Sequence, residues 1–132
     1  AEYLSTLIGG RPLVLAQKDN LPAGEQKILK FTCPSDKVWV VRFIYADMYG
    51  VDAGNEQYYH IRVCVEADAD KGAFWHYNEA KYDDRSKRKY IRADNIFAVP
   101  APGNDVYAFF DALSAPDPVT INFIICLFES EF

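Results

Sequence analysis

The side chains of this 132-residue sequence that can do acid–base, nucleophilic or metal chemistry are few, apart from its nineteen carboxylates. His60 and His76 are the two histidines, the residue type most used as a general base near neutral pH. They lie far apart in sequence with no H-x-H pair, and no G-x-S-x-G or H-E-x-x-H segment accompanies them. A surface or packing role is therefore expected for both. Cys33, Cys64 and Cys126 show no C-x-x-C spacing, and an odd count leaves one over in any disulfide scheme. They read as reduced thiols packed in strands, which implies synthesis in a reducing cytoplasm. Asp68-Ala69-Asp70 and Asp83-Asp84 bring carboxylates together, but neither follows an EF-hand loop, and turn-forming aspartates are the commoner case. The expectation is a protein that is not an enzyme, with no metal and no cofactor.

Two features suit binding better than catalysis. The segment Arg85-Ser86-Lys87-Arg88-Lys89-Tyr90-Ile91-Arg92 holds five basic residues in eight positions of an otherwise acidic chain. Such a run reads either as a solvated strand edge, where cations block unwanted pairing, or as a contact for an acidic partner. Arg85, Lys87, Arg88 and Lys89 are its partner-binding candidates. Tyr58, Tyr59, Phe74, Trp75, Tyr77, Tyr82 and Tyr90 make the middle of the chain rich in aromatics. Core packing, a protein interface and sugar stacking all use such rings.

The net charge of −5 argues against direct nucleic-acid binding, which needs cations to neutralise phosphates. No apolar run approaches the ~18 residues of a membrane span. Ala1-Glu2-Tyr3 lacks the basic start and apolar stretch of a secretory leader. Hydrophobic residues at 50% and charged residues at 25% fit one globular domain, and aromatics at 15% favour strands.

The elements that must position these residues are mostly strands. Residues 1–10 stand apart as an N-terminal arm, short helix or extended, with Leu4, Leu7 and Ile8 as possible contacts to a neighbouring subunit; residues 11–132 form the domain. Strands are expected at 11–17, 25–33, 38–49, 57–67, 73–77, 95–99, 105–112 and 119–128, each bounded by turn residues. In 57–67, Tyr59, Ile61, Val63 and Val65 point one way. In 119–128, Val119, Ile121, Phe123, Ile125 and Leu127 share a face. In 38–49, Val38, Val40, Ile44 and Met48 are read on one side and Trp39, Val41, Phe43 and Tyr45 on the other. Such a strand is either sandwiched or partly at an interface. Trp39, Phe43 and Tyr45 are interface candidates if their face is not core. Residues 78–93 read as a charged excursion or long loop. With no ten-residue helical pattern between strands, the expected fold is all-β: an antiparallel two-sheet sandwich, most simply a jelly roll of about eight strands, with an immunoglobulin-like sandwich as the alternative.

One stretch is more specific than its parts. Leu21-Pro22-Ala23-Gly24, an alternating strand ending in Cys33-Pro34, and then Asp36-Lys37-Val38-Trp39-Val40-Val41 resembles small tailed-bacteriophage virion proteins with β-sandwich or jelly-roll folds. There, a Pro-Ala-Gly turn opens one strand and a P-x-x-K-x-W-x-V segment opens the next. His60-Ile61-Arg62-Val63, and the run from Pro100-Ala101-Pro102-Gly103 to the last strand, look similar to the same arrangement. The resemblance spans about residues 20–66 and 99–129 and carries no catalytic residue. It implies a capsid decoration or cement protein, or a related minor virion component. Such a protein would be made in the host cytoplasm, sit on the capsid surface, bind the capsid protein of its own virion and form a homo-oligomer, with a trimer favoured. A carbohydrate-binding sandwich is the competing expectation.

Overall fold

The computed structural model describes residues 10–68, 73–77 and 80–131, with side chains for all of these except 66–68 and 73–76. Nine strands run through them: β1 (Arg11–Leu21), β2 (Gln26–Thr32), β3 (Lys37–Tyr49), β4 (His60–Asp68), β5 (Ala73–Tyr77), β6 (Lys81–Asp83), β7 (Arg88–Ala93), β8 (Asp105–Asp111) and β9 (Val119–Glu131). A 3-10 turn, Glu56–Tyr58, precedes β4. One sheet has the order β1-β9-β3-β7-β6 and the other β2-β8-β4-β5, with every pairing antiparallel. Strands from the first half of the chain pair with strands from the second half, and the folded-over ribbon wraps into two sheets. That is the jelly roll, two four-stranded sheets, with the short edge strand β6 as an addition to its eight strands.

Alternation explains why these segments become strands and why the sheets stack. In β9 the inward set Val119, Ile121, Phe123, Ile125 and Leu127 is buried, and in β4 so are Ile61, Val63 and Val65. Val106, Ala108 and Phe110 of β8 complete the facing layer. Phe31 and Phe123 stack across the sandwich at 5.3 Å. Each large apolar side chain removed from water here contributes about 1.5–3 kcal/mol, so the filled interior is the main source of stability. Turn chemistry closes the connections. Gly24 takes φ +83, a left-handed conformation open to glycine, and its N–H donates to the Ala112 carbonyl at 2.8 Å.

Three expectations change. First, β3 carries a bulge: Val41 pairs with Leu127 and Phe43 with Cys126, leaving Arg42 as the extra residue. One inserted residue reverses the pleat. Trp39 and Val41 therefore face the core together with Ile44, Ala46 and Met48, while Phe43 and Tyr45 turn outward. Trp39 is 4% exposed, and its indole N–H donates to Glu129 Oε2 at 2.9 Å, so it is a core residue and not an interface one. Second, the charged excursion at 78–93 contains a hairpin, with β7 paired to β3 along Ile44–Tyr49. Ile91 and Ala93 supply its inward face. Third, the strand expected at 95–99 is reduced to one bridge, Val41 with Ala98, which receives the backbone of β3 beside the bulge. Leu4, Leu7 and Ile8 lie outside the described residues, as do Asp70 and the side chains of Phe74, Trp75 and His76.

Candidate functional site

The outer face of the five-stranded sheet is where outward-pointing residues stop being polar. Register puts Pro12, Phe128 and Val40 in one row, Val14, Cys126 and Phe43 in the next, and Ala16, Ile124 and Tyr45 in a third. Val14 is 69% exposed, whereas Cys126, Ile124, Phe128, Phe43 and Tyr45 are half-buried by their neighbours. Alternation in β9 thus places apolar residues on both faces, through Ile124-Ile125-Cys126-Leu127-Phe128. Phe97 and Val99, exposed after β7, flank the bridge at Ala98.

Beyond the apolar rows the face becomes basic and aromatic. Asp47, 2% exposed, is the acceptor at its centre. Tyr45 Oη donates to Asp47 Oδ2 at 2.8 Å, Asn122 Nδ2 donates to Oδ1 at 2.7 Å, and Arg88 Nε lies 3.8 Å from Oδ2. Burial, and then the hydrogen bond to Asp47, push the Tyr45 phenol up to about 12. Tyr45 stacks on Tyr90 at 6.2 Å. Three guanidinium groups rest on rings of the same region: Arg92 over Phe43 at 5.6 Å, Arg88 over Tyr49 at 5.1 Å and Arg42 over Phe97 at 5.9 Å. Arg92 is also bonded to Asp94, whereas the buried Nε of Arg42 meets no acceptor among the described residues. Tyr45, Asp83, Ser86, Arg88, Tyr90 and Arg92 line a shallow hollow of about 360 Å³.

The basic run is therefore divided by the pleat and the turn. Arg85 and Lys87 lie in the β6–β7 turn, where the Arg85 N–H donates to Asp83 and Lys87 Nζ sits 3.1 Å from Asp52. Lys87 takes φ 55 there, a left-handed turn position. Arg88 and Arg92 point outward from β7. Lys89 points inward, donates to the Glu56 carbonyl at 2.7 Å and has its pKa pulled down by burial. Of the sequence candidates, Phe43, Tyr45 and Arg88 come together, while Trp39 and Lys89 are turned away. Arg42, Asp47, Asn122, Ile124 and Phe128 belong to the face and were not among the sequence candidates, while Arg92 was read only as part of the basic run and Cys126 only as a packed thiol. The signal that could have found β9's share was available, since that strand is apolar at consecutive positions.

Of the groups considered for chemistry, Cys126 and Asp83 lie on this face, while His60 and Cys33 lie elsewhere. His60 lines a separate hollow with Ile61, Arg62, Phe109 and Asp111 on the other sheet. Among the described residues no group of three or more His, Cys, Asp or Glu is placed to hold a metal ion. Cys33 is buried in the core, which raises its thiol pKa, and Cys126 is a half-buried free thiol on the outer face.

No family model matches the sequence, and no curated protein matches it. Among solved structures, one of Desmodium yellow mottle tymovirus aligns with a TM-score of 0.36 and 10% identity, covering 95% of this chain and 91% of that one. A virus-like particle of the extra small virus of the giant freshwater prawn Macrobrachium rosenbergii aligns with a TM-score of 0.33 and 12% identity, covering 92% and 81%. The jelly-roll assignment rests on strand order and register.

Proposed function

We propose that the chain is a structural virion protein that attaches to a capsid surface and stabilises it, in the manner of a decoration or cement protein. The observation that carries this reading is the apolar and aromatic outer face of the five-stranded sheet, built from β1, β9, β3 and β7. A sheet face patterned for water alternates apolar-in with polar-out; this one places half-buried Phe43, Ile124, Cys126 and Phe128 outward, as a surface awaiting a protein does. The tailed-phage pattern in the turns supports a virion setting, and a trimer is the form that resemblance implies. In this reading the protein works by presenting a rigid surface, not by turning over a substrate, and several copies attached together gain avidity beyond any one contact. The test is co-sedimentation of the purified chain with capsids of its own virion, with Ile124→Lys as comparison. Saturable binding lost in the variant is expected; no binding by the folded wild-type chain would overturn the proposal.

A second reading, a carbohydrate-binding sandwich, draws on the hollow where stacked Tyr45 and Tyr90 meet Arg88, Arg92 and Ser86. Rings with hydrogen-bonding neighbours suit a sugar. Oligosaccharide-dependent changes in tyrosine fluorescence that vanish in Tyr90→Ala would favour it over capsid attachment.

A further inference from the structure

The outer sheet face and one end of the sandwich carry opposite charge. Arg42, Arg88 and Arg92 are held on the face by aromatic rings. Two of its carboxylates are already engaged, Asp47 by Tyr45 and Asn122, and Asp94 by Arg92. The chain as a whole is nevertheless at −5, so its acidity lies elsewhere. Part of it collects in the loops at the end of the sandwich where β3 leaves for β4. Asp52 and Asp117 both bear electrostatically on Tyr59, and Asp52, Glu56 and Asp84 all bear on Tyr82. Tyr59 and Tyr82 tie these loops together by donating to the carbonyls of Asp117 and Val51. Among the described residues, the cations in these loops are Lys87, paired with Asp52, Lys89, spent on the Glu56 carbonyl, and Arg85, next to Asp84 in the β6–β7 turn. Asp52, Asp84 and Asp117 are exposed.

We infer that the arginine-bearing outer face of one copy seats the acidic loop end of a second copy, so that identical chains associate head to tail. Two such faces pressed together about a two-fold axis would bring two arginine clusters of like charge into one interface. A contact between different patches pairs opposite charges instead, and its repetition generates a ring if the rotation closes. Guanidinium groups stacked on rings suit this role: the ring holds the side chain in place and leaves N–H edges for incoming carboxylates. The inference deepens the proposed function, since it rests on the chain working as a homo-oligomer.

The experiment uses two variants of the whole chain, R88E/R92E on the face and D52K/D117K at the end, with mass read by light scattering behind a sizing column. Wild type is expected above the 15.0 kDa of one chain, with association weakening at least tenfold as salt rises past the point where the Debye length falls below ~10 Å. Each variant alone is expected at 15.0 kDa, and an equimolar mixture is expected to associate again, because the original contact survives in one direction and the two charge-reversed patches complement each other in the other. A monomeric wild type, a D52K/D117K variant that still associates, or a mixture that stays monomeric would overturn the inference. If circular dichroism shows that R88E/R92E has lost its fold, R88Q/R92Q replaces it, with the same outcomes expected. Capsid co-sedimentation of the wild-type chain is scored separately. A chain that binds capsids as a monomer sinks the head-to-tail contact and leaves the virion reading standing; one that associates but ignores capsids does the reverse.

Discussion

The two outer faces of this sandwich are built under the same pleat and come out differently. On the four-stranded sheet, outward positions mix charge with rings. Ile28 sits opposite Phe109, which carries Arg62 at 6.0 Å, and Lys30 and Thr32 both reach Asp105. Gln26, Asp111 and His60 share a polar row. On the five-stranded sheet the corresponding rows, Val14–Cys126–Phe43 and Ala16–Ile124–Tyr45, carry no charge through β1, β9 and β3; charge enters with Arg92 of β7, opposite Tyr45, and a buried carboxylate anchors the border with the basic region. One face is patterned for water and the other for contact. Backbone geometry therefore does not decide which sheet is free; the residues at every second position do.

Substitutions can break or sharpen that contrast. The largest effect belongs to the interior that both sheets share: Phe123→Ala removes a buried ring stacked on Phe31 and should cost about 3–5 kcal/mol, read from urea unfolding. Next is the comparison of one carboxylate from each face. Asp47→Ala leaves the Tyr45 hydroxyl and the Asn122 amide without their acceptor and should cost about 2–3 kcal/mol, whereas Asp105→Ala, at a more exposed site, should cost less than about 1 kcal/mol. Third, Ile124→Lys should weaken self-association tenfold or more, about 1.4 kcal/mol, while Ile28→Lys on the other sheet leaves it unchanged in sedimentation. The smallest effect is a pH dependence. Tyr45 holds its proton in the folded chain from 10.0 up to about 12, so the unfolded chain loses a proton first. Its contribution to stability is complete below pH 10 and is lost as pH rises toward 12. The urea midpoint should fall across that window, less steeply in Tyr45→Phe.

Much of this architecture was legible in the sequence because alternation in β4 and β9 survives on the inward side: Tyr59, Ile61, Val63 and Val65, and Val119 through Leu127, are buried as expected. The bulge was not legible. It is created by the pairing of β3 with β9 and by the backbone of residues 96–98 meeting Arg42 and Val41, none of which leaves a local mark. For that reason Trp39 was grouped with Phe43. The β6–β7 hairpin was hidden because Arg88 and Arg92, facing out, dominate the composition of a strand whose inward side is Lys89, Ile91 and Ala93, a cation among only two apolar residues. Nothing local marks Asp47 as an acceptor; its partner Asn122 lies 75 positions away, a separation that only the fold closes.

Cys126 offers the most direct reading of the central claim, because its thiol lies in the apolar row of the five-stranded sheet while Cys33 and Cys64 are buried. Its rate of alkylation should be measured under native conditions as protein concentration is raised from dilute to assembled. If this face is the one that works by contact, the rate falls with concentration as partners cover the sulfur. A rate that stays constant while light scattering reports assembly would mean that the chains meet through some other surface.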